Sequence, residues 1–336
     1  MTDERKLCRI RYFMKIIRLL LCIALICFIL FTPGKLVSGA QDSFVDARFV
    51  RKERTVSGTI VIWHIVRHKP YSGSMTQWLK NRAAEYEKAH KGTFIEIEGM
   101  DEATFSERLE HGRTADAYSF FSGSMYRDRL ARMPDLLIAY REGLFRTENA
   151  VPYCYTGYCK LIKKPDGGGN QSYYGDDLLA ARTGGGKNEA SEERADVLYL
   201  DLRRAGDLIR YKEGFTLAAI EPIDNFTDAV CWLGIDRETD AKKQEALLDF
   251  ISYLLSSDAQ QTLNALGLFA ALSGVRNVPP ESGLKAVFKM YATVKTADPF
   301  RWNTEYDSLA SDAAAGRNGN GDARARFIKR LQELCR

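Results

Sequence analysis

An α/β fold built around a parallel sheet is what the sequence predicts, and three observations carry it. "TIVIW" at 59–63 is a continuous apolar, β-branched run, the pattern of a strand covered on both faces. Helical and strand-like segments then alternate to residue 125, the order that right-handed crossovers generate. Near the other end, "EALLDFISYLLSSDAQQTLNALGLFA" at 245–270 reads as two helices joined at a pair of serines.

The elements follow in order. Ser74 and Gln77 make a capping-box signature, and Met75, Trp78, Leu79, Ala83 and Tyr86 recur at helical spacing until Gly92. "TFIEIEG" alternates as a second strand. "DEATFSERLEHG" is a short helix with Phe105 and Leu109 inward, and "ADAYSFFSGSM" at 115–125 is a third strand running into a loop. Ligands of such sheets sit beyond the carboxyl ends of strands, so the residues after Trp63 and after Phe121 are the expected site. "AVPYCYTGYCKLI" at 150–162 is an aromatic-rich extended segment. Residues 165–191 hold two GGG clusters and Gly175, and read as a linker. "ADVLYLDL", "FTLAAIEPI" and "FTDAVCWLGI" at 226–235 are predicted strands. Leu247, Phe250, Ile251, Leu254 and Leu255 form one apolar helix face; Ser257 with Gln260 is expected to cap the second helix, and Gly267 to end it. From Glu281 the tail reads as helical, broken at Asp298-Pro299 and at "GRNGNGD".

The 336 residues are 45% hydrophobic and 27% charged, which suits a globular chain of about two domains. The net charge of +4 belongs to the start of the chain. Residues 1–40 carry seven of the 48 basic and two of the 44 acidic residues, so the remainder has 41 against 42, a net of −1. That balance excludes an electrostatic case for nucleic acid. Lys15 and Arg18 precede thirteen uninterrupted apolar residues at 19–31, and Ser38-Gly39-Ala40 supplies a small-x-small site. These are the parts of a secretory signal peptide spanning 1–40, with an uncleaved anchor as the alternative. Met14-Lys15 would be a more usual start than the acidic opening, which leaves residues 1–13 open to being a start-site artefact. Residues 41–57, polar and aperiodic, read as a mobile arm. An exported chain, extracellular, periplasmic or at the cell surface, is therefore expected.

Beyond the leader the cysteines are Cys154, Cys159, Cys231 and Cys335. No zinc spacing joins them. Cys154 and Cys159 would face opposite sides of one strand, so buried free thiols are expected, with some pairing left open by export. "RTGGGKN" at 182–188 fails as a phosphate loop because Ala181 and Asn188 occupy required Gly and Ser/Thr positions. No nucleophile elbow and no H-E-x-x-H are present. His64 and His68 are four apart, but Pro70 disfavours a helical pair and no third ligand is evident, so no metal is assigned. "NFT" at 225–227 falls in a predicted strand and is discounted as a glycosylation site.

Several stretches together resemble the sugar-binding, family 1 type of extracellular solute-binding proteins of ABC importers. The matched places are "TIVIW", "AAEYEKAHKG", "VPYCYTGYCKL" and, most specifically, "LGIDRETDAKKQEALLDFISYLLSSDAQQTLNALGLFAA". The resemblance covers 58–163 and 195–336. It implies a two-lobe periplasmic-binding-protein fold of type II with hinge crossings. The Gly-rich 165–191 stands where the family carries a helical region, so the second lobe is expected to be shortened. Residues 58–150 plus 236–275 would form the first lobe, and 151–235 plus 276–336 the second, with crossings at 151–162 and 226–235.

The resemblance implies a monomer that closes on a small molecule, a carbohydrate above all, and docks on permease subunits of an ABC importer. It implies neither cofactor nor covalent chemistry. Aromatic faces and polar side chains at strand ends are what a sugar needs. Trp63 with His64, Ser122 with Ser124, Tyr153 with Tyr155, and Trp232 are the expected ligand residues; core packing is the alternative for each. Ser122-Gly123-Ser124 could cradle an anion through its backbone N–H groups. A lobe-reduced sensor for a membrane receptor, an enzyme on the same fold, and a metal or polyamine binder using Tyr153, Tyr155 and Tyr158 remain the rival classes.

Overall fold

The computed structural model describes residues 58–136, 138–163, 197–201, 215–218, 225–302, 329 and 333. The leader and arm, the Gly-rich linker and Cys335 lie outside them, as do the side chains of 158–163, which include Tyr158 and Cys159.

The first half is β1 (Thr59–Ile65), α1 (Met75–Ala89), β2 (Phe94–Met100), α2 (Glu102–Glu110) and β3 (Ala117–Phe121). Ser74 caps α1 by accepting from the Gln77 N–H, as its spacing predicts, and Asp101 caps α2 through the Thr104 N–H. β4 (Val151–Tyr155) and β5 (Tyr158–Lys163) follow, then β6 (Val197–Asp201), β7 (Phe215–Ala218) and β8 (Val230–Ile235). α3 (Ala241–Leu254), α4 (Ser257–Gln261), β9 (Phe269–Ala270) and α5 (Lys285–Met290) complete the described elements. α4 is capped by Ser256, one residue before the expected Ser257, through the Ala259 N–H. Gln260 is fully buried and joins three backbones instead. Its Nε2 donates to Tyr153 O and Leu254 O, and its Oε1 accepts from the Ala271 N–H, all at 2.9 Å.

Six strands form one mixed sheet in the order β2-β1-β3-β8-β4-β9, and three form a second in the order β6-β5-β7. β1 pairs parallel with both β2 and β3, whereas β8 runs antiparallel between β3 and β4. The extended segment at 150–162 therefore divides: β4 belongs to the large sheet and β5 to the small one. The predicted strand at 226–235 is shorter than its sequence suggests, because at its start the backbone pairs elsewhere. Thr227 N–H donates to Lys295 O, and the Lys295 N–H donates to Asn225 O, both at 3.0 Å.

Strand alternation sends side chains to two cores, one on each face of the large sheet. Ile60 and Ile62, Ala117 and Phe121, and Leu233 and Ile235 meet Trp78, Leu79 and Tyr86 of α1 and Leu247, Phe250 and Ile251 of α3. On the other face Trp63, Tyr118, Phe120 and Trp232 meet Phe105 of α2 and Leu284, Val287, Phe288 and Tyr291 of the 284–294 segment. Both faces being covered explains why β1, β3 and β8 are apolar apart from Thr59, His64 and Ser119 rather than alternating. A bulge between Pro152 and Cys154 turns Tyr153 and Cys154 toward the same core.

Three backbone stretches meet beside β4 and β8. Thr156 N–H donates to Ala229 O at 3.0 Å, Thr227 Oγ1 donates to Thr156 O at 2.7 Å, and Tyr155 OH donates to Tyr291 O at 2.9 Å. Gly157 is required here by space, since a Cβ would lie 2.2 Å from the Tyr291 ring. Gly157→Ala is expected to cost about 1–3 kcal/mol through overpacking. Gly274→Ala, where a Cβ meets nothing within 4 Å, should change stability by less than about 0.5 kcal/mol. Denaturant unfolding compares the two, and equal effects would contradict the packing at the crossing.

Within the first core a polar thread runs from His64 Nδ1 to Ser119 Oγ, then to Tyr153 OH, both steps at 2.8 Å. Burial holds the His64 imidazole neutral, lowering its pKa from 6.5 to about 4. The unfolded chain takes its proton near 6.5 and the folded chain near 4, so stability from His64 is complete above 6.5 and falls as pH drops between these values. The loss totals roughly 3 kcal/mol. Unfolding free energies of wild type and His64→Gln, measured from pH 7 to pH 4, should converge as pH falls; parallel curves would count against a neutral buried His64.

Candidate functional site

Topology alone gathers the candidate site. β1, β2, β3 and β4 all end, and β8 begins, at the same edge of the large sheet. The loops after β1 and β3 therefore lie at the edge where the chain leaves for β5 and returns into β8.

Arg67 anchors this rim. Its Nη1 donates to Ser122 O and to Ser124 Oγ, each at 3.4 Å, and lies 4.0 Å from Glu102 Oε2. Ser124 Oγ in turn donates to Glu102 Oε1 at 2.8 Å. The His68 ring stands edge-on to Phe121, centroids 4.8 Å apart. Further along, Arg127 Nη2 donates to Asp298 Oδ2 at 2.7 Å, and its guanidinium lies 5.1 Å from the Phe300 ring. Trp302 Nε1 donates to Asp228 Oδ2 at 3.1 Å, which fixes the buried Asp228 carboxylate beside the crossing. Tyr126, two residues past the Ser-Gly-Ser turn, is 63% exposed, and Val66 is 44% exposed.

The expected ligand residues separate onto the two sides of the sheet. Trp63 lies in the α2-side core, edge-on to Phe105 and Tyr118 at 6.1 and 6.0 Å, with Arg108 5.2 Å from its ring centroid. Trp232 is on that side too and donates from Nε1 to Ser122 Oγ at 3.0 Å. Tyr155 joins them, stacked on Phe269 at 5.0 Å. His64 and Tyr153 point into the opposite core, where Tyr153 stacks on Trp78 at 6.0 Å. Burial pushes the phenol of Tyr155 upward, and that of Tyr153 well above its usual range. Tyr153 and Tyr155 are thus not brought together as a metal pair would require. Only Ser122, through its carbonyl, and Ser124 reach the Arg67 rim. Two of their turn's three backbone donors are already taken: Gly123 N–H donates to Pro299 O at 2.8 Å and Ser124 N–H to Phe121 O at 3.0 Å.

Arg67, Glu102, Tyr126, Arg127, Asp228 and Asp298 line the candidate site and were not singled out by motif reading. One signal was available for two of them: Arg67 and Tyr126 each stand just past an apolar strand end, where a charge or ring has no core to serve. Glu102 and Asp298 come from α2 and the segment after α5, and only tertiary folding puts them here. Chemically the rim offers donors and acceptors in compensated pairs, Arg67 with Glu102 and Arg127 with Asp298, next to an exposed aromatic plane. Among the described residues no group of three or more His, Cys, Asp and Glu gathers as a metal site.

No family model matches the chain, and no curated protein matches it. Solved structures do. The cyclic alpha-maltosyl-1,6-maltose binding protein from Arthrobacter globiformis superposes with a TM-score of 0.55 at 11% identity, covering 83% of this chain and 99% of that one. The sugar-binding protein MalE from Xanthomonas citri gives 0.54 at 12% identity, covering 83% and 97%. Trichodesmium IdiA (FutA), in complex with iron and citrate, gives 0.52 at 13% identity, covering 82% and 99%. Taken with the antiparallel β8 and the two sheets, these likenesses make the chain an α/β protein with the two-lobe fold of the type II periplasmic solute-binding proteins.

Proposed function

We propose that this protein is an exported solute-binding protein that captures a small molecule, a carbohydrate, and delivers it to the permease subunits of an ABC importer. One observation carries the reading: the polar rim of Arg67, Ser124, Glu102 and Tyr126 lies at the sheet edge where the chain crosses to the smaller sheet. A ligand held there touches the segments that must bend when two lobes close, so binding and closure are coupled. The work is binding and conformational change, with no covalent step. Charge pairs that neutralise each other at the rim support a carbohydrate over an ion, while the structures of the same fold include both sugar-binding and iron-binding proteins. The apolar leader at 19–31 supports export.

A ligand at 100 times its Kd stabilises the folded state by about 2.7 kcal/mol, which raises Tm by roughly 5–10 °C. The purified protein, screened by thermal shift against mono- and oligosaccharides, amino acids, polyamines and ferric citrate, should respond to a saccharide. Tyr126→Ala should abolish that response while leaving the melting temperature without ligand nearly unchanged, whereas Arg67→Ala should abolish it and, by removing the contacts to Ser122, Ser124 and Glu102, also lower the ligand-free melting temperature. A response to ferric citrate or a polyamine, with none to any saccharide, would overturn the carbohydrate assignment.

A further inference from the structure

Two thiols that the binding reading leaves unused face each other inside the core. Cys154 of β4 and Cys231 of β8 are direct cross-strand partners, 2% and 1% exposed. Tyr153 OH donates to Cys231 Sγ at 3.2 Å, on the same side of the sheet as Cys154. Alternation within β4 would ordinarily place Tyr153 and Cys154 on opposite faces; the bulge between Pro152 and Cys154 is what brings both sulfurs to one side. The position in the chain matters as much as the contact. Each cysteine lies within a crossing segment, two residues from the Thr156 N–H to Ala229 O link at 3.0 Å, the next link outward. Between them run residues 155–230, the whole excursion that carries β5, β6 and β7.

We propose that Cys154 and Cys231 form a cross-strand disulfide that closes this excursion into a covalent loop at its base. The oxidant is a small-molecule disulfide such as oxidised glutathione. Its S–S bond breaks into two thiols as the Cys154–Cys231 bond forms. The two electrons pass to it, and the two protons lost by the cysteines balance those its thiols gain. Because burial pushes the Cys154 thiol well above its ordinary range, the folded pair exchanges slowly. The bond therefore forms as β4 and β8 come together during folding, before the core closes over them. Cys159 is no competitor in the folded sheets, since it stands opposite Leu200 in the smaller one.

The full chain, refolded from denaturant with mixed reduced and oxidised glutathione, is trapped with iodoacetamide and mapped by mass spectrometry without reduction. The expected product is a peptide linking Cys154 to Cys231, lighter by two hydrogens than the reduced pair and still formed in the Cys159→Ala/Cys335→Ala double variant. Closing a loop of this length should raise Tm by roughly 10 °C over the same protein refolded and melted in reductant. Alkylation of both Cys154 and Cys231, linkage of either to another cysteine, or equal Tm for chains refolded with and without reductant would each overturn the proposal. The outcome is independent of which ligand, if any, the rim binds.

Discussion

Strand β8 runs against its neighbours, and that reversal organises the rest of the molecule. A purely parallel sheet would end every strand at the ligand edge and start every strand at the far one. Because β8 enters antiparallel between β3 and β4, it begins where they end. The chain can therefore leave β4, build a second sheet, and return at almost the same point. Its six residues are all buried, with Val230 and Trp232 serving one core and Cys231, Leu233 and Ile235 the other. The Arg67 rim and the crossing coincide for this reason.

Two devices hold the reversal in place from opposite sides. On one, Gln260 ties the carbonyl of Tyr153 to the end of α3 and to the Ala271 N–H, so the helix pair is fastened to β4 by one buried side chain. A buried amide with both its oxygen and nitrogen partnered costs little; leaving them unpartnered would cost on the order of 1–3 kcal/mol. On the other side, Tyr291 lies over Gly157, accepts from Tyr155 at its carbonyl and donates to Phe226 O. The segment after α5 thereby joins the two crossings as a third strand of backbone, parallel to Phe226 at Lys295.

Much of this was readable in the residues. The run 59–63 and the helical spacing of Met75, Trp78, Leu79, Ala83 and Tyr86 mark β1 and α1, because local capping and periodicity decide them. The 245–270 block marks α3 and α4 for the same reason, although Gln260 proves to be a core clamp rather than a cap. Site residues were less legible. Trp63, Tyr153, Tyr155 and Trp232 carry the ring chemistry a sugar prefers, yet each sits on a strand buried on both faces, and burial takes precedence over chemistry there. The residues that do face outward, Arg67 and Tyr126, belong to short loops whose direction depends on the strands that support them. The meeting of Asp298 with Arg127 joins residues 171 positions apart, and no local pattern encodes it.

Native-state hydrogen exchange on the full chain tests the central role of β8 most directly. If the reversed strand is what the two cores close upon, amides of residues 230–235 exchange only through global unfolding, with protection equal to the whole stability of the protein. Amides of the edge strand β2 should open at lower free energy. Exchange of β8 as fast as β2, or at a free energy well below global unfolding, would contradict the account.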